Sequence, residues 1–266
     1  MKKICFLTIL FALSLGFVTS GLAKDSNSLE SSFYFVQITD THLEDNDNFE
    51  RAEKIIEKIN ALPFKVEFVI HTGDIFSDNI GDESALKAAK ELFAGLKAPI
   101  YYVAGNHDIK SEKTKNIYIT NFGQLNYVKQ SNGIVLIFIY TNHPKNDSDV
   151  FNADFFKWFE DSLKSARNKP VIVFQHIPAG KDFYTNMFYK PLPAKVEKKW
   201  HALINKYKVK AVIAGHFHRD ELHWFGKVPL YVAGPVSKWL GRQASYRIYE
   251  YKDGKIDYST QYLDAD

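Results

Sequence analysis

Six short apolar runs, rich in Val, Ile and aromatic residues, alternate along this chain with amphipathic segments. That alternation constrains the fold more than anything else in the sequence. The runs lie at 33–39, 66–71, 100–104, 134–140, 171–175 and 209–214, and each reads as a strand. Between them apolar residues recur at helical spacing. One set is Ala52, Ile55, Ile56 and Ile59, with Asn48 as the expected cap; a second, after Asp82, is Leu86, Ala89, Phe93 and Leu96. A third follows Asn152, with Phe155, Trp158, Phe159 and Leu163, and a fourth follows Pro193, with Val196, Trp200, Leu203 and Tyr207. Ser131-Asn132-Gly133 and Asp253-Gly254 read as hairpin turns. After His218 the pattern turns to strands alone, at 221–225, 230–233, 245–251 and 255–262. Interleaved strands and helices with a stranded tail predict an α/β protein on mixed sheets, in a single domain over 33–264.

The segment before that domain reads as an address. Met1-Lys2-Lys3 is followed by an apolar run over 4–18 and by Thr19-Ser20-Gly21-Leu22-Ala23, the layout of a secretory signal peptide. Gly21 and Ala23 suit the −3 and −1 positions, so cleavage is expected after Ala23, with 24–32 left as a short linker. The apolar run is short against the roughly 20 residues of a membrane anchor, so no stable membrane insertion is expected once the leader is gone. The expected location is periplasmic or extracellular. Cys5, the single cysteine, leaves with the leader, so any metal in the mature chain must rely on N and O ligands. Removing Lys2 and Lys3 from the 34 basic residues leaves 32 against 31 acidic. That near-neutral balance argues against a nucleic-acid partner. With 45% hydrophobic and 24% charged residues, the composition also excludes a disordered chain.

The chemistry gathers where strands end. The first run ends at Asp40-Thr41-His42, the second at Gly73-Asp74, the third at Gly105-Asn106-His107-Asp108, the fifth at His176 and the sixth at Gly215-His216-Phe217-His218. Strand C-termini are where open α/β sheets bind ligands. In the two i, i+2 pairs an extended segment sends both side chains to one face. Asp40, His42, Asp74, Asn106, His176, His216 and His218 make seven candidate metal ligands. A single catalytic zinc takes about three protein ligands. Seven suit two cations about 3.5–4 Å apart that share a carboxylate, a pair able to attract phosphate. His107 is left over, and its chemistry suits proton donation to a leaving oxygen.

The ordered blocks D-x-H, G-D, G-N-H-[DE], H and G-H-x-H, from Asp40 to His218, resemble the calcineurin-like metallophosphoesterase superfamily. The resemblance implies a four-layer α-β-β-α sandwich with two mixed β-sheets. It also implies a binuclear centre: Asp40, His42 and His218 on one metal, Asn106, His176 and His216 on the other, Asp74 bridging, and His107 as the catalytic histidine outside the metal shell. The implied reaction is hydrolysis of a phosphomonoester or phosphodiester by a metal-bound hydroxide. Mn, Fe and Zn all suit this donor set. In the protein Ser/Thr phosphatases an Asp stands at the place of Ser77, followed by an Arg that is absent here. Asp78 or Asp108 is therefore expected to support His107. Purple acid phosphatases carry a Tyr at that place, so a purple enzyme is not expected. What remains resembles the compact bacterial branch that includes class III cyclic-nucleotide phosphodiesterases.

The other histidines, His71, His201 and His223, read as structural, while His143 follows a strand and stays open. The segment 178–193 carries Lys181, Phe183, Tyr184, Phe188, Tyr189 and Lys190, which reads either as a grip on a flat leaving group such as a nucleoside or as surface packing. Two competing functions bracket the phosphoesterase. A non-catalytic binding module of the same fold would lack ligands or the catalytic histidine, and this chain lacks neither. A nuclease would carry a basic face and extra domains.

Overall fold

The computed structural model describes residues 32–141, 150–179 and 193–263. In the first sheet β1 (Phe33–Ile38), β2 (Val66–His71) and β3 (Ile100–Tyr102) run parallel. β10 (Ser245–Lys252) and β11 (Lys255–Tyr262) continue it antiparallel, in the order β11-β10-β1-β2-β3. The second sheet holds β4 (Tyr127–Ser131), β5 (Ile134–Ile139), β6 (Val171–Gln175), β7 (Ala211–Ala214), β8 (Glu221–Phe225) and β9 (Val228–Val232). Its order is β4-β5-β6-β7-β9-β8, with β5, β6, β7 and β9 parallel and the two edge strands antiparallel.

Strand periodicity builds the layers. In β5, Ile134, Leu136 and Phe138 join the cluster between the sheets, while Val135, Ile137 and Ile139 join the cluster of α4 (Ala153–Ser165) and α5 (Ala194–Lys206). In β1, Phe33 and Phe35 face the same inter-sheet layer, and Val36 and Ile38 join α1 (Asn46–Asn60), α2 (Glu83–Ala94) and α3 (Glu112–Phe122). The result is the expected α-β-β-α sandwich. Tyr249, Phe35 and Phe68 stack through its middle, with centroids 4.8 and 5.0 Å apart. Such pairs contribute about 0.5–1.5 kcal/mol each beyond their burial. The buried Gln37 is satisfied on all sides: its amide donates to Ala214 O and Thr72 Oγ1, and Tyr249 Oη donates to its carbonyl.

Asp82 and Asn152 cap α2 and α4 as the sequence suggests, and Asn132-Gly133 and Asp253-Gly254 take left-handed φ in the two hairpins. Asn48 does not cap α1. Asp45 does, accepting from Asn48 N, while the buried Asn48 side chain donates to His42 O and accepts from Lys238 N. α3 and β4 are additions to the expected elements. β3 stops at Tyr102 instead of 104, β7 starts at Ala211 instead of 209, and β9 starts at Val228 instead of 230. The leader 1–23, most of the linker, His143 and the aromatic loop residues Lys181 to Lys190 lie outside the described residues. Among the described residues, no helix is long and apolar enough to cross a membrane.

Candidate metal centre

Parallel strands bring their C-terminal ends to one edge, so the polar blocks after β1, β2, β3, β6 and β7 converge. Two clusters result, Asp40 with His42 and His218, and Asp74 with His176 and His216. All six residues are buried, and within each cluster the ligand atoms lie within 4.8 Å of one another. Asp74 Oδ2 stands between the clusters, 3.0 Å from His176 Nε2 and 3.8 Å from His42 Nε2. Asn106 Oδ1 is 3.1 Å from His176 Nε2, which puts the seventh candidate on the second cluster.

The backbone holds this arrangement under strain. Asp40, His42, Asp74, Asp78, His216 and His218 all have φ between 42° and 73°. Left-handed geometry costs a residue with a Cβ about 1–3 kcal/mol when it persists at such sites. Six instances around one cleft mark it as the functional region. Close approach also requires glycine. At Gly73, with φ 102°, a Cβ would fall 2.6 Å from His176 Nδ1, and at Gly105 it would run into the backbone nitrogen and carboxylate of Asp74. Gly105→Ala is therefore expected to lower stability by about 1–3 kcal/mol, because backbone cannot yield cheaply. Thermal melts of the variant beside wild type check this.

Neighbouring groups fix which nitrogen each ring presents. His176 Nδ1 donates to Thr72 O at 2.7 Å, so its Nε2 faces Asp74 and Asn106. His42 Nδ1 lies 3.2 Å from Ser77 Oγ, which leaves its Nε2 facing His218 Nε2 at 3.3 Å. Two imidazole nitrogens turned on each other beside carboxylates are an arrangement that a shared cation satisfies. The buried Asp40 Oδ1 accepts no hydrogen bond, although His218 Nε2 is 3.2 Å away; Asp40 Oδ2 takes Thr39 Oγ1 and His216 N. This donor set of nitrogens and oxygens fits two metal ions.

Burial pushes His42 down to about 4 and His216 down to about 3, so both rings are neutral near pH 7. Burial also opposes a charge on His176, but the Asp74 carboxylate outweighs it and raises the ring to about 9. In Asp40 and Asp74 burial works against ionisation, and His218 and His176 respectively overcome it, so both carboxyls are held low.

His107 stands outside both clusters. Its Nδ1 is 2.7 Å from Asp78 Oδ1, which also lies 3.0 Å from Lys110 Nζ. The other candidate support, Asp108, is corrected by the structure. Asp108 accepts from the backbone nitrogens of Asp74, Phe76 and Gly105, tying the second block to the third, so these bonds turn it to the scaffold. His71 is a core residue: Nδ1 accepts from Gly73 N, and Nε2 meets Thr41 Oγ1 at 3.0 Å. His201 meets Ala179 O and His223 meets Glu221, both away from the clusters.

Trp239, which sequence reasoning missed, packs against the histidines of the cleft. Its indole stacks on His42 at 3.8 Å and 11°, and meets His107 edge-on at 5.3 Å and 88°.

The model of the calcineurin-like phosphoesterase family matches residues 33–220, most of the described domain and every block of the cleft. The chain belongs to the calcineurin-like phosphoesterase family. Membership places it among the hydrolases of phosphoric ester bonds and makes the two clusters a dimetal-type site. A probable glycerophosphodiester phosphodiesterase of Arcobacter nitrofigilis is 27% identical over 214 residues, covering 76% of this chain and 78% of that protein. A probable cyclic nucleotide phosphodiesterase of Rhodopseudomonas palustris is 26% identical over 214 residues, covering 74% and 76%. Among solved structures, a purple acid phosphatase from yellow lupin aligns with TM-score 0.67 at 15% identity, covering 88% of this chain but 53% of that one. The fold is therefore shared, and its chemistry must be argued from the residues.

Proposed function

We propose that this chain is an exported, binuclear-metal phosphoesterase that hydrolyses small-molecule phosphomonoesters or phosphodiesters, nucleotides and cyclic nucleotides among them. One observation carries the reading: Asp74 Oδ2 lies within 4 Å of a histidine nitrogen from each cluster, so one carboxylate can serve two cations. Asp40, His42 and His218 would hold one ion, Asn106, His176 and His216 the other, with Asp74 between them. When bound, two such cations supply Lewis acidity towards phosphoryl oxygens and activate water at neutral pH. The protein's own groups do the rest. Ser77 and Thr72 O hold the rings of His42 and His176 in their working orientation. Asp78 Oδ1 holds His107 by its Nδ1, so that in the doubly protonated ring the other nitrogen carries the proton that passes to the leaving oxygen.

Both relatives named above carry phosphodiesterase in their names, which supports diesters as the first class to try. The near balance of acidic and basic residues supports small substrates over nucleic acid. The test is a panel of aryl phosphates, cyclic nucleotides, nucleotides and headgroup phosphodiesters, run on protein loaded in turn with Mn, Fe and Zn. Turnover that requires about two metal equivalents per chain supports the reading. Metal binding without turnover of any ester overturns it in favour of a binding module. Export rests on the layout of 1–23 and predicts a mature N-terminus at Lys24. N-terminal sequencing of protein from the periplasm or medium checks this, and recovery of Met1 in that fraction would sink it.

A further inference from the structure

We infer that Trp239, with Leu240 beside it, is a specificity-determining platform that receives the alcohol portion of the substrate and favours aromatic or apolar alcohols. The inference rests on the phosphoesterase reading above and deepens it. Trp239 begins a single 3₁₀ turn, Trp239–Gly241, between β9 and β10. That strap is clamped to the segment leading out of β1 at successive points. Val236 N donates to Thr39 O and Ser237 N to Asp40 O; Lys238 N donates to Asn48 Oδ1, and Lys238 Nζ reaches Asp45 and Asp47. Further along, Arg51 Nη1 donates to Arg242 O. The indole Nε1 donates to Glu44 Oε1 at 2.6 Å. Its one polar atom is thereby taken up, so the ring offers the cleft an apolar surface alone.

The placement is what turns a packed Trp into a specificity residue. The ring lies flat on His42, a proposed metal ligand, and edge-on to His107, the proposed proton donor. Whatever oxygen His107 protonates must leave within a ring's width of the indole, so the body attached to that oxygen must pass along it. Next to it, Leu240 holds a left-handed φ of 58° and is 63% exposed, among the most exposed large apolar side chains described. A clamped Trp followed by a strained, exposed Leu at the rim of a polar cleft is a surface with no core to cover. The carboxylates of Glu44, Asp45 and Asp47 flank the strap, with Lys238 set against the last two. That rim opposes alcohols carrying extra phosphates and leaves neutral ones acceptable.

The test uses matched esters of 2-phenylethanol and ethanol, as phosphomonoesters or methyl phosphodiesters, whose leaving alkoxides are similar in basicity. The quantity read is the ratio of kcat/KM for the two, in metal-loaded wild type, Trp239→Ala, Trp239→Phe and Leu240→Ser, with metal content measured for each. Wild type is expected to prefer the phenylethyl ester. Trp239→Ala is expected to lower that preference by roughly 5- to 150-fold, the span of an aromatic stacking contact. Trp239→Phe should retain most of it, and Leu240→Ser should lower it less than Trp239→Ala. If all variants lose both esters equally, or Trp239→Ala sheds metal while the ratio stays fixed, Trp239 merely props His42 and the inference is overturned. If metal-loaded wild type hydrolyses no ester in any panel, the phosphoesterase reading itself has failed and takes this one with it.

Discussion

Asp74→Asn is expected to lose both metal equivalents and at least about a thousandfold in kcat, while the protein stays folded. Asp74 Oδ2 is the oxygen that faces both clusters, and Oδ1 accepts His107 N at 2.8 Å. An asparagine keeps the volume and an acceptor for that backbone N–H, so the turn after β3 keeps its tie. What goes is the charge, and with it the carboxylate that would offset two cations held by the clusters. Metal centres contribute several kcal/mol to transition-state stabilisation, and each 1.36 kcal/mol is about tenfold in rate. The measurements are metal content by atomic emission, turnover of whichever ester wild type prefers, and melting in the presence of a chelator. Chelator-treated wild type and variant should melt close together, because the comparison then involves scaffold alone. A variant that keeps two metals, or one that fails to fold, would remove Asp74 from the bridging position.

Much of the fold could be read from the sequence because its strands are central and apolar. Ile134 to Ile139 admits one assignment, since every residue is hydrophobic and both faces are covered. α3 offers no such pattern. Its residues include β-branched Thr114, Ile117, Ile119 and Thr120 without a helical stripe, and the one signal is a capping box made by Ser111 and Thr114, with Thr where Glu or Gln is usual. β4 was hidden for the opposite reason: it is an edge strand with exposed Val128, Lys129 and Gln130, visible only through the turn that follows it.

The cleft shows the same division between local and distant signals. Each block announces itself within a few residues, because a strand end, a glycine and a ligand are adjacent in sequence. Which carboxylate serves His107 was not decidable that way. Asp108 is its sequence neighbour, but the turn aims Asp108 at three backbone nitrogens, and Asp78 arrives from the loop after β2. Trp239 lay beyond sequence reasoning altogether. Its contact with His42 spans nearly two hundred residues and is set by backbone hydrogen bonds from Val236 and Ser237, which no side-chain pattern encodes.

His107→Ala is expected to keep both metals and lose roughly 10²–10⁴ in kcat, the range of a missing general acid. The ring is partly exposed, its Nδ1 is engaged by Asp78, and no clustered ligand atom belongs to it. Removing it therefore takes away a proton source without opening the buried ligand set. The loss should depend on the leaving group. A nitrophenolate departs without protonation, so its hydrolysis should fall least, and an alkyl ester should fall most. Asp78→Asn probes the same proton from behind. It removes the negative charge that faces His107 Nδ1 and leaves Lys110 without its carboxylate, so a loss of about 10–100-fold is expected, the range for groups that orient a functional histidine. The double variant discriminates between mechanisms. If Asp78 acts through His107, then Asp78→Asn adds little on top of His107→Ala, because the group it orients is gone. If the two losses multiply, Asp78 works independently of the ring. Metal loss in His107→Ala, or equal losses for nitrophenyl and alkyl esters, would remove His107 from the role of proton donor.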